Sequence, residues 1–368
     1  MRVLVIGAGV IGTAVAWELL QRGAEVVLLD SAAVGGYTSA ASAGMVNPFS
    51  LTPDDTPALP MYWQSLQMYP DWTRTLHEQT GIDPEWRSGG CLRVALTPSD
   101  AEHLRASLAW IQRYDTRAEL IDSQAACQLE PALNHEIAAA LYLPSEGWVN
   151  AERLLRALHR VVQLKGANLH TDTPALRLVV DNATVRRVQT AHGILEGDTV
   201  VVAAGAWAGM LTQWLGLDTP TTPVRGVILI LGDLPVPVQR ILSSPVGYLV
   251  PRADGTVLFG ATREHARFDA RVTVNSYALL TDNLKTLALP LMQATVLGHT
   301  VGLRPDTPDH NPYIGAVAGI ERLYLAAGHA YHGILLAPAT ARAIADLVLN
   351  GTTDLPIAPF NPNRYAKW

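Results

Sequence analysis

The sequence predicts an α/β protein in which both ends of the chain build one parallel sheet, with a second, α+β unit on an antiparallel sheet inserted between them. Three observations carry this. Met1–Asp30 reads as strand, helix, strand. Near the other end, Leu323–Ala326 and Ile334–Leu349 repeat a strand-to-helix turn punctuated by glycine. Between them, from Pro223 to about Thr300, short apolar runs bounded by turn residues replace that rhythm.

The opening strand, Val3–Ile6, runs into Gly7-Ala8-Gly9-Val10-Ile11-Gly12. A helical stretch reaches Arg22, Gly23 ends it, and Val26–Leu29 forms a strand closing at Asp30. In this setting the glycine spacing is the dinucleotide fingerprint of a Rossmann-like unit. Gly7 permits the tight turn, Gly9 lets a pyrophosphate approach the backbone, and Gly12 lets helix and sheet pack closely. The free N–H groups and positive end of the helix receive the phosphates. Asp30 lies roughly 20 residues beyond the glycines, where a carboxylate accepts ribose hydroxyls. An acid there disfavours a 2′-phosphate, so the residues point to FAD or NAD rather than NADP.

Gly35–Met45 is rich in small residues and reads as a loop returning to the cofactor. Tyr62–Gln79 is an amphipathic helix whose aromatic stripe (Trp63, Tyr69, Trp72) reads as core packing. Gly89–Ala95 turns into a strand, and Thr97–Asp100 caps a helix over Ala101–Tyr114. Ala139–Trp148 reads as strand and turn, followed by a helix from Asn150 or Ala151 to Gly166. Asn168–His170, Ala175–Val180 and Val185–Thr190 are short strands. Asp198–Ala204 is apolar on both faces, hence a buried strand, and Gly205–Ala208 turns sharply beside the nucleotide. Val224–Leu231, Tyr248–Pro251 and Val257–Ala261 belong to the second sheet, and Tyr277–Leu289 is a helix.

Composition narrows the function. Hydrophobic residues make up 49% and charged ones 16%, which excludes a disordered chain. A net charge of −6 without a basic run argues against nucleic acid and anionic membranes as partners. Cys91 and Cys127 lack metal-site spacing and fit a reducing compartment; no metal is expected. The chain starts directly on a strand, and its apolar stretches are broken by Gly, Pro or charge, so a cytoplasmic protein is expected.

Several blocks occur in one order: the opening fingerprint, Gly35–Met45 (GGYTSAASAGM), Val201–Trp207 (VVAAGAW) and Tyr248–Arg252 (YLVPR). Gly260–Thr262 (GAT), Gly302–Gly315 (GLRPDTPDHNPYIG) and Ala326–Thr340 (AAGHAYHGILLAPAT) follow. Together they resemble the D-amino-acid oxidase superfamily of FAD-dependent amine oxidases, and within it glycine oxidases of the ThiO type. The likeness spans nearly the whole chain. It implies FAD contacts at Val10, Ile11, Asp30, Ser31, Thr38, Ser39, Ala43, Gly44 and Met45, with the Ala175 backbone at the adenine. The turn through His329, Ala330, Tyr331, His332, Gly333, Ile334 and Leu335 would cover the isoalloxazine. A helix N-terminus there would stabilise the anion of reduced flavin. The implied FAD-binding domain comprises residues 1–85, 143–222 and 301–368, and the substrate domain residues 86–142 and 223–300.

The family's catalytic substrate clamp maps onto Arg304 and Tyr248. A planar guanidinium suits a carboxylate, through two parallel hydrogen bonds. The implied reaction moves hydride from a small amino acid or N-substituted glycine to flavin N5. The imine hydrolyses to a 2-oxo acid plus ammonia or an amine, and oxygen is reduced to hydrogen peroxide. With glycine as substrate, the imine would serve thiazole synthesis for thiamine. A dehydrogenase passing electrons to a quinone or protein, or an oxidase of N-carboxymethyl or acidic amino acids, remains open, as does a homo-oligomer. Neither cysteine lies in the C-terminal half and the small-residue loop has no histidine, so non-covalent FAD is expected.

Two departures bear on the substrate. Similar glycine oxidases carry an arginine where Tyr331 stands, and an apolar, methionine-like residue where Arg263 stands. Arg263 either points into the pocket toward a second carboxylate or distal polar group, or sits at a strand end paired with Glu264 or solvent. His329 and His332 read as flavin contacts or loop hydrogen-bond partners rather than bases. Asp306, Asp309 and His310 read as turn residues ahead of Pro312.

Overall fold

A computed structural model describes residues 1–32, 37–52, 54–213, 215–217 and 219–365. Gly35 and Gly36 of the small-residue loop lie outside the described residues.

The first sheet has six strands in the order Tyr313–Ala316, Leu323–Ala327, Thr199–Val202, Arg2–Ile6, Glu25–Leu29, Asn168–His170. Neighbours are parallel except Tyr313–Ala316, which is antiparallel to Leu323–Ala327. Both ends of the chain therefore contribute, as the pattern predicts. Arg2–Ile6 and Thr199–Val202 are covered on both faces, which is why their apolar runs are unbroken. One face carries the helices Val10–Gln21, Ala151–Leu164 and Gly333–Asn350. The other packs against the antiparallel sheet Ala175–Asp181, Thr184–Thr190, Gly193–Glu196 through Leu178, Val185 and Val188. Gly12 sets how closely the first helix seats: a Cβ there would fall 1.8 Å from the Gly7 carbonyl oxygen.

Gly333–Asn350 departs from the expectation that every apolar stretch is interrupted. Its 18 residues are, among the described residues, the one helix long and apolar enough to cross a membrane. Here it is a core helix, packed against Val10–Gln21 and Leu59–Thr80. Pro338 sits inside it without ending it. Proline has no N–H, so the Ile334 carbonyl loses its intrahelical donor. The Tyr69 hydroxyl donates to that carbonyl, and Ser65 Oγ donates to the Leu335 carbonyl at 2.6 Å. Tyr69, assigned above to packing alone, thus completes a helix on another element.

The second sheet has eight strands in the order Thr295–Asp306, Thr222–Gly232, Val257–Gly260, Gly247–Pro251, Ile241–Ser244, Cys91–Ala95, Ala139–Leu143, Glu119–Asp122. All pairs are antiparallel except Ile241–Ser244 with Cys91–Ala95. The sequence pattern does not reveal Glu119–Asp122, Ile241–Ser244, Thr295–Asp306, Tyr313–Ala316 or the helix Ser123–Leu129. Thr295–Asp306 contains Gly298, Gly302 and Pro305, poor strand formers. It is held extended by pairing along the whole of Thr222–Gly232, a tertiary cause. This strand also runs through residue 300, where the sequence reading divides the two units.

Candidate active site

A cavity of about 540 Å³ opens at the carboxyl ends of Arg2–Ile6, Thr199–Val202 and Leu323–Ala327. Open α/β sheets bind ligands at such strand ends. Gly7, Gly9, Val10 and Ile11 line one end, with Asp30, Ser31, Ala175 and Gly205. Gly7 has φ +106°, and a Cβ there would fall 2.4 Å from the Ala203 carbonyl oxygen, so only glycine fits. The Asp30 carboxylate accepts from the Ala8 and Ala32 N–H groups at 2.7 and 3.0 Å, which fixes it at the strand end. A residue the sequence reading missed braces this turn: His159 Nε2 lies 2.8 Å from the Ala8 carbonyl oxygen. Burial lowers the pKa of His159, leaving a neutral ring that donates. Its place on Ala151–Leu164 suggests only a core position, because the partner is remote in sequence.

Thr38, Ser39, Ala43 and Met45 line the cavity's flank. The Val10 N–H donates to Ser39 Oγ at 3.1 Å. Thr38 Oγ1 donates to the Leu303 carbonyl at 2.8 Å and accepts from the Leu303 N–H at 3.2 Å. Thr300 Oγ1 donates to the Ala41 carbonyl at 3.1 Å. The loop thereby joins the N-terminus of the first helix to the strand that carries Arg304.

At the far end the lining comes from His329, Ala330, Tyr331, Gly333 and Ile334, where Gly333–Asn350 begins. The first N–H groups of a helix have no intrahelical acceptor, and its end is positive. Burial lowers His329 to about 3, and its Nε2 lies 3.1 Å from Thr340 Oγ1. Burial lowers His332 to about 4, and its ring stacks on Tyr62 with centroids 4.4 Å apart. Both imidazoles are neutral at pH 7, so neither adds a positive charge to that of the helix end.

Arg304 and Tyr248 both line this end of the cavity. Arg304 Nη1 donates to the Thr262 carbonyl at 3.1 Å. Its guanidinium lies over Gly226: a Cβ there would fall 2.3 Å from both terminal nitrogens. Gly226 is a second residue missed, since the relation arises only from pairing of Thr222–Gly232 with Thr295–Asp306. Tyr248 pairs with Gly260, whose missing side chain leaves room for the phenol. Burial raises the Tyr248 pKa while the Arg304 guanidinium opposes the rise, and the hydroxyl stays protonated at pH 7. Tyr331 receives the guanidinium carbons of Arg263 at 4.6 Å and Arg304 at 5.5 Å from its ring centre.

Arg263 itself is exposed and does not line the cavity. Its pairing with Glu264 is overturned. That carboxylate binds Arg225 Nη2 at 2.5 Å and accepts from Thr262 and Ser276 at 2.7 and 3.0 Å. Gly12, Gly44, His332 and Leu335 are also absent from the lining. Gly12 packs beneath the fingerprint. Gly44, at φ +84°, lies against the Val149 carbonyl, and Leu335 is core. Asp309 binds Arg364, and His310 Nδ1 lies 2.7 Å from Asp306 Oδ1, as turn residues do. Among the described residues no group of three or more His, Cys, Asp or Glu could hold a metal ion.

Residues 2–347 match the DAO family, described as FAD dependent oxidoreductase. Glycine oxidase of Pseudomonas putida is 33% identical over 362 residues, covering 98% of each chain. The crystal structure of glycine oxidase from Geobacillus kaustophilus superimposes with TM-score 0.95 at 31% identity, covering 100% of both chains. Iminodiacetate oxidase from Chelativorans sp. BNC1 gives TM-score 0.90 at 25% identity, covering 98% of this chain and 99% of that one. The match over almost the full length, on a fold whose strand ends open onto the fingerprint glycines, makes this chain a member of the DAO family of FAD-dependent oxidoreductases.

Proposed function

We propose that this enzyme is an oxidase of a small amino acid or an N-substituted glycine, with FAD held non-covalently. The observation that carries the reading is the pairing of Arg304 and Tyr248 at one end of the cavity, beside the N-terminus of Gly333–Asn350. FAD fits the residues present. Gly7 and Gly9 leave backbone exposed where a pyrophosphate would lie, and Asp30 offers oxygens to a ribose. The N-terminus of Gly333–Asn350 lines the cavity and would stabilise negative charge developing on a bound flavin. No cysteine lines the cavity, which supports a non-covalent cofactor. The names of the similar glycine and iminodiacetate oxidases support an amine substrate and oxygen as its partners.

When bound, FAD supplies the hydride acceptor at N5 and the electrons that reduce oxygen to hydrogen peroxide. The chain supplies placement. The Arg304 fork takes the substrate carboxylate, and the protonated Tyr248 hydroxyl donates to the same group. Two anchored oxygens leave the substrate one orientation, which lowers the entropic part of the barrier. Lowered by burial to about 3 and about 4, His329 and His332 are too weakly basic to hold a substrate proton at pH 7, so the amine is expected to arrive unprotonated.

The test is a peroxide-coupled screen of glycine, N-alkyl glycines and other small amino acids, with anaerobic bleaching of the bound flavin as direct readout. Bleaching by an amine and rapid recovery in air support the proposal. Bleaching with slow recovery in air supports a dehydrogenase that uses another acceptor. Yellow colour remaining in an acid-precipitated pellet refutes non-covalent attachment.

A further inference from the structure

We infer that Arg263 binds a second carboxylate of the substrate, making the preferred substrate a small amine that carries two carboxylates. This rests on the amine-oxidase reading above. The guanidinium of Arg263 lies 4.6 Å from the centre of the Tyr331 ring and that of Arg304 5.5 Å from the same ring. Tyr331 lines the cavity and both cations rest against its ring, Arg304 within the lining and Arg263 exposed beyond it. Their separation cannot exceed the two distances together, within reach of a short dicarboxylate. Stacking on an aromatic face holds a guanidinium flat while leaving its edge donors free.

Arg263 has no ion pair or side-chain hydrogen bond among the described residues, and Glu264, Asp269 and Asp306 are engaged elsewhere. Glu264 binds Arg225, Thr262 and Ser276. Asp269 binds Arg271 at 2.9 Å and approaches Arg225 at 3.6 Å. Asp306 accepts from the Thr307 N–H at 3.1 Å and meets His310. A cation ordered by an aromatic platform and left without an anion has its donors available to a ligand. A substrate held by both guanidiniums carries an acid group at each end, with the amine within its length. N-Carboxymethyl glycine and an acidic α-amino acid both meet this requirement, and the test distinguishes them.

The experiment compares kcat/KM for iminodiacetate, N-methylglycine and aspartate in the wild-type holoenzyme, Arg263→Met and Arg263→Lys. Arg271→Gln serves as a surface-charge control. In Arg263→Met the ratio of dicarboxylate to N-methylglycine efficiency is expected to fall about fivefold or more, chiefly through KM. Arg263→Lys should recover part of it, and Arg271→Gln should leave it unchanged. Whether iminodiacetate or aspartate shows the fall identifies the source of the second acid. Binding of inert thiodiacetate against (methylthio)acetate, read from the flavin absorption band, gives the same comparison without turnover. A smaller fall in both the kinetic and binding ratios, or an equal one in Arg271→Gln, overturns the inference. If no amine bleaches the flavin while thiodiacetate binding still depends on Arg263, the oxidase reading fails and the carboxylate site stands.

Discussion

Arg304 reaches its place through an absence: Gly226 on the neighbouring strand has no side chain to displace it. Arg304→Lys keeps the charge and loses the planar fork, so kcat/KM for the substrate is expected to fall about a hundredfold. A fall under tenfold would show that the fork is not the carboxylate anchor. Gly226→Ala keeps every charge and pushes the guanidinium aside. Its KM is expected to rise while the flavin spectrum of the free enzyme stays as in wild type. Arg304 and Tyr248 were legible because each sits in a distinctive block of sequence. Gly226 and His159 were not, because their meaning depends on partners 78 and 151 positions away, made neighbours only by sheet pairing and helix docking.

Away from the cavity, Glu146 is fully buried and accepts from the Phe49 and Ser50 N–H groups at 2.7 and 2.9 Å. Burial nevertheless raises its pKa to about 7. The folded chain thus keeps a proton that the unfolded chain gives up at ordinary carboxylate pH. The resulting stabilisation is present at low pH and is lost as pH rises through about 7. His329 and His332, lowered on folding, act in the opposite sense: their contribution is present above the ordinary histidine range and lost as pH falls toward their folded values. In Glu146→Gln the urea midpoint at pH 8, relative to pH 5, should therefore exceed that of wild type. Identical pH differences in the two proteins would refute the shift.

Among the elements, Gly333–Asn350 shows how one helix depends on another. Pro338 removes a donor, and Tyr69 on Leu59–Thr80 replaces it. Tyr69→Phe leaves the Ile334 carbonyl buried and unpaired, at a cost of about 1–3 kcal/mol. Urea unfolding measures it, and a loss below about 0.5 kcal/mol would show that the hydroxyl is dispensable. The apolar period made the helix legible, and the glycine-rich turn before it marked its start. Thr295–Asp306 was hidden for the opposite reason: its own residues disfavour a strand, and only its partner holds it extended. The sequence marks the small-residue loop as cofactor-facing, but its attachments to Leu303 and Thr300 are visible only in the fold.

At the scale of the molecule, the cavity draws on segments from Ile6 to Ile334 and on residues of both large sheets. A ligand that binds only the folded chain stabilises it in proportion to the logarithm of its free concentration. FAD titrated into stripped protein is therefore expected to raise Tm steadily, as measured by circular dichroism. A Tm independent of added FAD would separate the cavity from the fold's stability. The parallel sheet and its use of both chain ends followed from two glycine turns. The order of the eight-stranded sheet did not, because Ile241–Ser244 and Glu119–Asp122 are short and Ile241–Ser244 joins Cys91–Ala95, distant in the chain.

The hydroxyls of Thr38 and Thr300 fasten the small-residue loop to the strand that carries Arg304. Whatever settles that loop also settles the anchor. The two ligands should accordingly load in a compulsory sequence, coenzyme before acid. Calorimetry of stripped protein with an inert carboxylate should register little heat until flavin is restored, and Thr38→Val should blur the difference between the two states.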